Sequence, residues 1–150
     1  MRITLNNNSI SQTTSVKYLG VIFDNKLNWQ FQIDNVNKKL SKACYAITKL
    51  RKIVNLNILI QVYYALAYSC LIYCVTSWGS ATSNYLNKIK IKQKKIVRIM
   101  TFSRFNSHSN PLFHKLNLLK FEDIFKFRVA MLTNTLLKII LTNLIQIFYN

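Results

Sequence analysis

From Phe31 to Val54 the apolar residues fall at Ile33, Val36, Leu40, Cys44, Ile47, Leu50 and Val54. Steps of three or four throughout trace one face of an amphipathic helix. Lys38, Lys39, Lys42, Lys49, Arg51 and Lys52 occupy its other sides. The next segment, Ile58 to about Ser77, is apolar nearly all round, and no charge occurs from Ile53 to Asn87. A helix of that kind belongs in a core or in a membrane. Gln61, Ser69 and the tyrosines Tyr63, Tyr64, Tyr68 and Tyr73 favour a core, because their polar tips would need partners in lipid. Leu66, Cys70, Tyr73 and Cys74 are expected to be buried against the other helices, and Gly79 is expected to cap the C-terminus.

A third pattern runs from Tyr85 to Met100. Tyr85, Leu86, Ile89, Gln93, Ile96, Val97 and Met100 share one arc at about 100° per residue. Lys88, Lys90, Lys92, Lys94, Lys95 and Arg98 lie outside it, and only Ile91 and Ile99 break the division. Residues 101–118 form a connector holding the single proline, Pro111. A last helix is predicted from Phe121 to about Ile147, with Glu122 and Asp123 in its first turn, where the helix dipole favours acids. Ahead of all four helices, residues 2–23 read as one hairpin: Ile3 and Leu5, a polar bend, then a strand from Val16. Gly20 falls inside that strand. It marks either a close approach of another backbone or a bulge that turns the chain into the helix. The fold class is therefore mainly α: an N-terminal β-hairpin at residues 1–28, then about four helices packed as a bundle over 29–150.

Charge changes the picture. Twenty-one Lys and Arg face four acids, for a net charge of +17. Repulsion of that size opposes compaction unless a polyanion is near. Nucleic acid or an anionic membrane surface are the natural partners. The basic residues are mostly lysine, which suits backbone contacts better than base readout. The acids are Asp24, Asp34, Glu122 and Asp123. Two-metal chemistry needs carboxylates converging on ions about 4 Å apart. Neither the separated Asp24 and Asp34 nor the adjacent Glu122 and Asp123 offers such a pair, so no catalytic residue and no cofactor is expected.

Cys70, Cys74, His108 and His114 echo a two-Cys, two-His zinc set. The cysteines sit in the uncharged helix, where a thiol packs as a small hydrophobe, so no metal is expected. Trp29 and Trp78 are expected to be packing anchors. The odd cysteine count, without an apolar leader after Met1, points to an intracellular protein, nuclear or cytoplasmic, with reduced thiols.

Five segments, in order, resemble the reverse transcriptases of non-LTR (LINE-like, jockey-type) retrotransposons. They are VKYLGVIFDNKLNW (16–29), LSKACYAITKLRK (40–52), VYYALAYSCLIYCVTSWGSA (62–81), LNKIKIKQKKIVRIM (86–100) and HSNPLFHKLNLLKFEDIF (108–125). The resemblance covers roughly residues 3–130. One departure is Gln30-Phe31-Gln32, where the family commonly has a histidine after the tryptophan. The resemblance implies an RNA-directed DNA polymerase represented by its carboxyl side alone: the end of the palm plus a thumb-like region, without the catalytic YxDD-type motif. The hairpin around Tyr18, Leu19 and Gly20 would correspond to the primer grip at the palm–thumb junction, with Lys17, Tyr18 and Gly20 as its nucleic-acid-binding residues. Lys88, Lys92, Lys94, Lys95 and Arg98 would track the backbone of an RNA–DNA or DNA duplex, and the upstream palm would be the protein partner. Two other readings stay open: a membrane-associated basic helical protein, and a decayed fragment without function.

Overall fold

The computed structural model describes residues 3–5, 8–10 and 13–149, with side chains for residues 13–141. The chain is mainly helical, as its periodicity predicts. Two antiparallel hairpins come first: β1 (Ile3–Leu5) with β2 (Asn8–Ile10), and β3 (Ser15–Tyr18) with β4 (Val21–Asp24). Then follow α1 (Gln30–Leu50), α2 (Leu56–Tyr63), a π-helical stretch (Tyr64–Tyr68), α3 (Ser69–Ile72), α4 (Val75–Trp78), α5 (Ser83–Met100), α6 (Asn110–Lys115) and α7 (Phe121–Tyr149).

The single hairpin expected over residues 2–23 is thus two. Val16 and Phe23 pair across the second, and Tyr18 faces Val21, which leaves Leu19 and Gly20 as a two-residue turn. Both have positive φ, 46° and 82°, the conformation that a tight hairpin of matching twist requires. Gly20 is therefore a turn residue, neither a bulge nor a mid-strand approach point. The polar bend expected near Asn6-Asn7 lies outside the described residues.

Asp24 closes the second hairpin and opens α1. Its Oδ1 accepts the backbone N–H groups of Lys26 and Asn28, both at 3.1 Å, and its Oδ2 accepts that of Trp29 at 2.8 Å. Trp29, at the N-cap, has left-handed φ of 66° and no side-chain cap of its own. Asp24 supplies the missing acceptors from a distance. Burial pushes its carboxyl up, and the three backbone donors outweigh that and hold it below the usual carboxylate range.

The uncharged segment buries a face other than the expected one. Leu59, Tyr63, Ala67, Leu71, Val75 and Trp78 are buried. Leu66 and Tyr73 are 42% and 47% exposed, Cys74 is exposed and Cys70 is half-buried. Steps of four drift by about 40° each on a helix of 3.6 residues per turn. The wider π-helical turn takes up that drift and keeps the four-residue stripe facing α1. Tyr63 is the core member of the tyrosine set. Tyr64 and Tyr73 lie on the exposed face.

Trp78 is fully buried, stacks on Phe121 with ring centroids 5.5 Å apart, and donates Nε1–H to the Tyr73 carbonyl at 2.9 Å. Gly79 does end α4, but its φ is −72°, so a left-handed cap is not what calls for glycine. A Cβ there would sit 2.4 Å from Phe125 Cδ2 and 2.5 Å from the Val75 carbonyl oxygen. Glycine lets α7 close onto α4.

Gln93, in the apolar arc of α5, is buried and fully bonded. Its Nε2 donates to Tyr63 Oη and to the Leu119 carbonyl, and its Oε1 accepts the Phe121 N–H, each at 2.9 Å. One amide thus joins α2, α5 and the start of α7. Burial pushes the Tyr63 phenol up to about 12, against a smaller opposing effect from Gln93.

Two outcomes are expected. Gly79→Ala overpacks the α4–α7 contact and lowers unfolding free energy by about 1–3 kcal/mol, and Phe125→Ala in the same chain restores part of it, as read by urea denaturation. Tyr63→Phe leaves one Gln93 N–H without a partner and costs about 1–3 kcal/mol near pH 8. A phenol raised in the folded state holds its proton more tightly there than when unfolded. Its contribution is complete below about pH 10 and is lost as pH climbs to about 12, by about 2–3 kcal/mol. The gap between parent and Tyr63→Phe should close over that interval.

Candidate nucleic-acid interface

Helices α1 and α5 form the main packing pair, and three contacts set their direction. Tyr85 Oη donates to Gln30 Oε1 at 3.2 Å, Lys88 Nζ meets Asp34 Oδ1 at 2.8 Å, and Arg51 Nη1 donates to the Ile99 carbonyl at 3.2 Å. Low numbers meet low and high meet high, so the two helices run parallel. By helical spacing, Lys38 and Lys49 stand within about 60° of Asp34, the residue of α1 that reaches α5, and Lys92 and Lys95 stand within about 40° of Lys88 on α5. Lys38, Lys49 and Lys95 are exposed and Lys92 is half-buried. Tyr45 lies on the same flank, 66% exposed, with the Lys49 ammonium 5.5 Å from its ring centroid. These side chains line the outer seam of the two helices with cations and one aromatic ring.

The acids are spent elsewhere. Asp24 caps backbone, Asp34 pairs with Lys88, and Glu122 pairs with Lys90 at 2.8 Å. Burial pushes the Glu122 carboxyl up, but the Lys90 ammonium and the nearby Lys94 charge carry it below the usual range. However the pairs are drawn, 21 cations less 4 acids leaves 17 cations with no acidic side chain to neutralise them. The membrane alternative finds no span: no helix among the described residues is long and apolar enough to cross a bilayer. Among those residues no three His, Cys, Asp or Glu gather as a metal site.

The residues singled out from sequence separate into three places. Lys92 and Lys95 face the seam, with Lys88 beside them in its ion pair. Lys94 and Arg98 lie around the other side of α5. Lys94 lines a cavity of about 270 Å³ with Lys90, Asn110, Lys120, Glu122 and Asp123. Arg98 donates Nε–H to the Ser107 carbonyl at 2.9 Å and ties down the connector. Lys17, Tyr18 and Gly20 sit apart, on the β3–β4 hairpin. Gln32 Oε1 accepts the Ile22 N–H of that hairpin at 3.0 Å, whereas Asp34 reaches α5. Two residues apart on a helix means about 200° around it, so hairpin and seam occupy opposite flanks of α1. Lys17 and Tyr18 are exposed, and Tyr73 Oη donates to the Leu19 carbonyl, fastening the turn to the end of α3.

Lys38, Tyr45 and Lys49 went unselected from sequence. Each sits on a helix visibly basic in the chain, but its proximity to α5 depends on parallel packing. Asp34 as the partner that neutralises Lys88 was hidden for the same reason, at a separation of 54 residues.

No family model and no solved structure matches the chain. Among curated proteins it is 30% identical over 100 residues to the RNA-directed DNA polymerase from mobile element jockey of Drosophila melanogaster, covering 64% of this chain and 11% of that protein. The same polymerase of Drosophila funebris is 28% identical over 100 residues, with the same coverage. The chain therefore spans about a tenth of the length of these relatives. By these matches the chain is similar, over 100 residues, to part of the RNA-directed DNA polymerases of mobile element jockey.

Proposed function

We propose that this chain is the thumb-like part of a retrotransposon reverse transcriptase and binds template–primer duplex through its phosphate backbone, without sequence preference. Residues 1–28 would be the end of the palm, with Lys17, Tyr18 and Gly20 at a primer-grip position, and residues 29–150 the thumb. The observation that carries the reading is the unneutralised lysine seam between α1 and α5. Lysine ammonium groups are compact point charges that suit phosphate without selecting a base. Tyr45 adds a flat ring on which a sugar or a frayed base can rest. Lys94 and Arg98 would meet the duplex less directly, since Arg98 already serves the connector. The rest of the parent polymerase, its palm in particular, would be the protein partner. Work of this kind takes place inside the cell, in nucleus or cytoplasm.

Three of the four carboxylates serve a cap or an ion pair and no converging pair is offered, so polymerisation would rest with the upstream palm. A primer-extension assay on an RNA template with magnesium or manganese is expected to show no incorporation by this chain alone. Incorporation that persists through repurification overturns that part of the reading.

The binding claim is tested by salt. Each phosphate neutralised contributes roughly 0.9 to the slope of log affinity against log salt on duplex DNA. Lys38→Gln, Lys92→Gln and Lys95→Gln together should flatten that slope by about 2–3 and weaken binding alike on every sequence. Glutamine keeps helix propensity, so circular dichroism should be unchanged. A folded triple variant with the parent's affinity and slope shows that the seam is only a solvated face.

A further inference from the structure

α7 packs on the other helices through its first turns, and beyond them only one side of it, at Arg128, Met131, Leu132 and Thr135, still lines a cavity with Thr76. Phe121 and Ile124 are buried and Phe125 is half-buried, but every residue from Ala130 to Leu141 is exposed. Met131, Leu132, Leu136, Leu137, Ile139, Ile140 and Leu141 are each between 47% and 58% exposed. At helical spacing Leu132, Leu136, Leu137, Ile139, Ile140 and Leu141 cover an arc of about 200°, while Met131 lies on the opposite side with Asn134, Thr135 and Lys138. Apolar surface on that scale marks an interaction site.

The pattern within the arc is regular. Thr133, Leu137 and Ile140 follow steps of four and three, and the sequence continues them at Leu144 and Ile147. That alternation is the seam of a two-helix coiled coil. Thr133 fits a buried seam because its hydroxyl already donates to the Ala130 carbonyl at 2.9 Å.

Charge selects the occupant and its direction. From Val129 to Leu141 the only charged residue is Lys138, in a chain of net charge +17. Two such cations can approach along this stretch with little local repulsion. A parallel pair would press the two basic bodies together. An antiparallel pair holds them at opposite ends of about 30 Å of helix, several screening lengths apart at physiological salt. Half the surface of a helix about 12 Å across and about 30 Å long is about 600 Å². Two such halves reach about 1,200 Å², the lower edge of stable interfaces.

We propose that two copies of this chain pair antiparallel along α7, through the seam that begins at Thr133, Leu137 and Ile140. The pairing is independent of the nucleic-acid reading.

The test is sedimentation velocity on the full chain, nuclease-treated and free of nucleic acid, over a concentration series at low and high salt. The expected result is a reversible dimer with a micromolar dissociation constant that tightens as salt screens the repulsion. Association bridged by a residual polyanion would weaken with salt instead, and that outcome overturns the proposal. Leu137→Glu with Ile140→Glu, both at exposed positions, should keep the circular dichroism of the parent and weaken pairing by more than about tenfold. A parent that stays monomeric throughout overturns the proposal. So does a monomer that floats with neutral phosphatidylcholine vesicles and loses that binding in the double variant, since the occupant is then lipid. Chemical crosslinks joining Lys126 of one copy to Lys126 of the other indicate a parallel pair and overturn the antiparallel arrangement.

Discussion

The side-chain amide of Gln93 is the constraint around which the helices are arranged. Both of its N–H groups and its carbonyl are used, and their partners come from α2, from the segment before α7, and from the first residue of α7. A buried amide with any of these missing would carry an unpaired polar group at a cost of about 1–3 kcal/mol. The bonds therefore fix rotation as well as proximity. Once Phe121 is held, its ring lies on Trp78 and Phe125 falls against Gly79. An apolar residue at position 93 would fill space but would not set the angle at which α7 departs.

The placement of charge follows from this framework. Four acids cannot neutralise twenty-one cations, and the structure uses three of them to hold elements together: Asp24 at the hairpin–helix junction, Asp34 between α1 and α5, Glu122 between α7 and α5. The lysines on the outer seam are left without counter-charges. Parallel packing of α1 and α5 gathers two separate basic faces into one, which is what a polyanion would recognise. In an exposed setting the individual ion pairs contribute little to stability. Their effect is to decide which cations stay available.

The exposed apolar surfaces tell of contacts beyond the chain. The turn around Tyr18 and Leu19, the outer face of the π-helical segment and α7 from Ala130 to Leu141 all leave large apolar side chains in water. The curated relatives are about nine times the length matched here.

The sequence by itself determined the mainly helical class, the helices α1, α5 and α7 and the inward face of α1 and α5, because those depend on local spacing alone; it ran the uncharged helix unbroken to Ser77, whereas the chain leaves the helix at Tyr73 and Cys74, and it read the segment of α6 as connector. It also marked the excess of positive charge and the family likeness. It misplaced the hairpins, since a two-residue turn at Leu19-Gly20 is set by positive φ at a residue, leucine, that gives no turn signal. It chose the wrong face of the uncharged helix, because a π-helical turn changes the phase by less than one residue per step and that adjustment answers to packing on α1. Gly79 looked like a cap and is instead the space that Phe125 needs. The parallel direction of α1 and α5, the pairing of Lys88 with Asp34 and the division of the selected cations among seam, connector and hairpin were decided only by tertiary structure. Each depends on residues tens of positions apart, which no local period encodes.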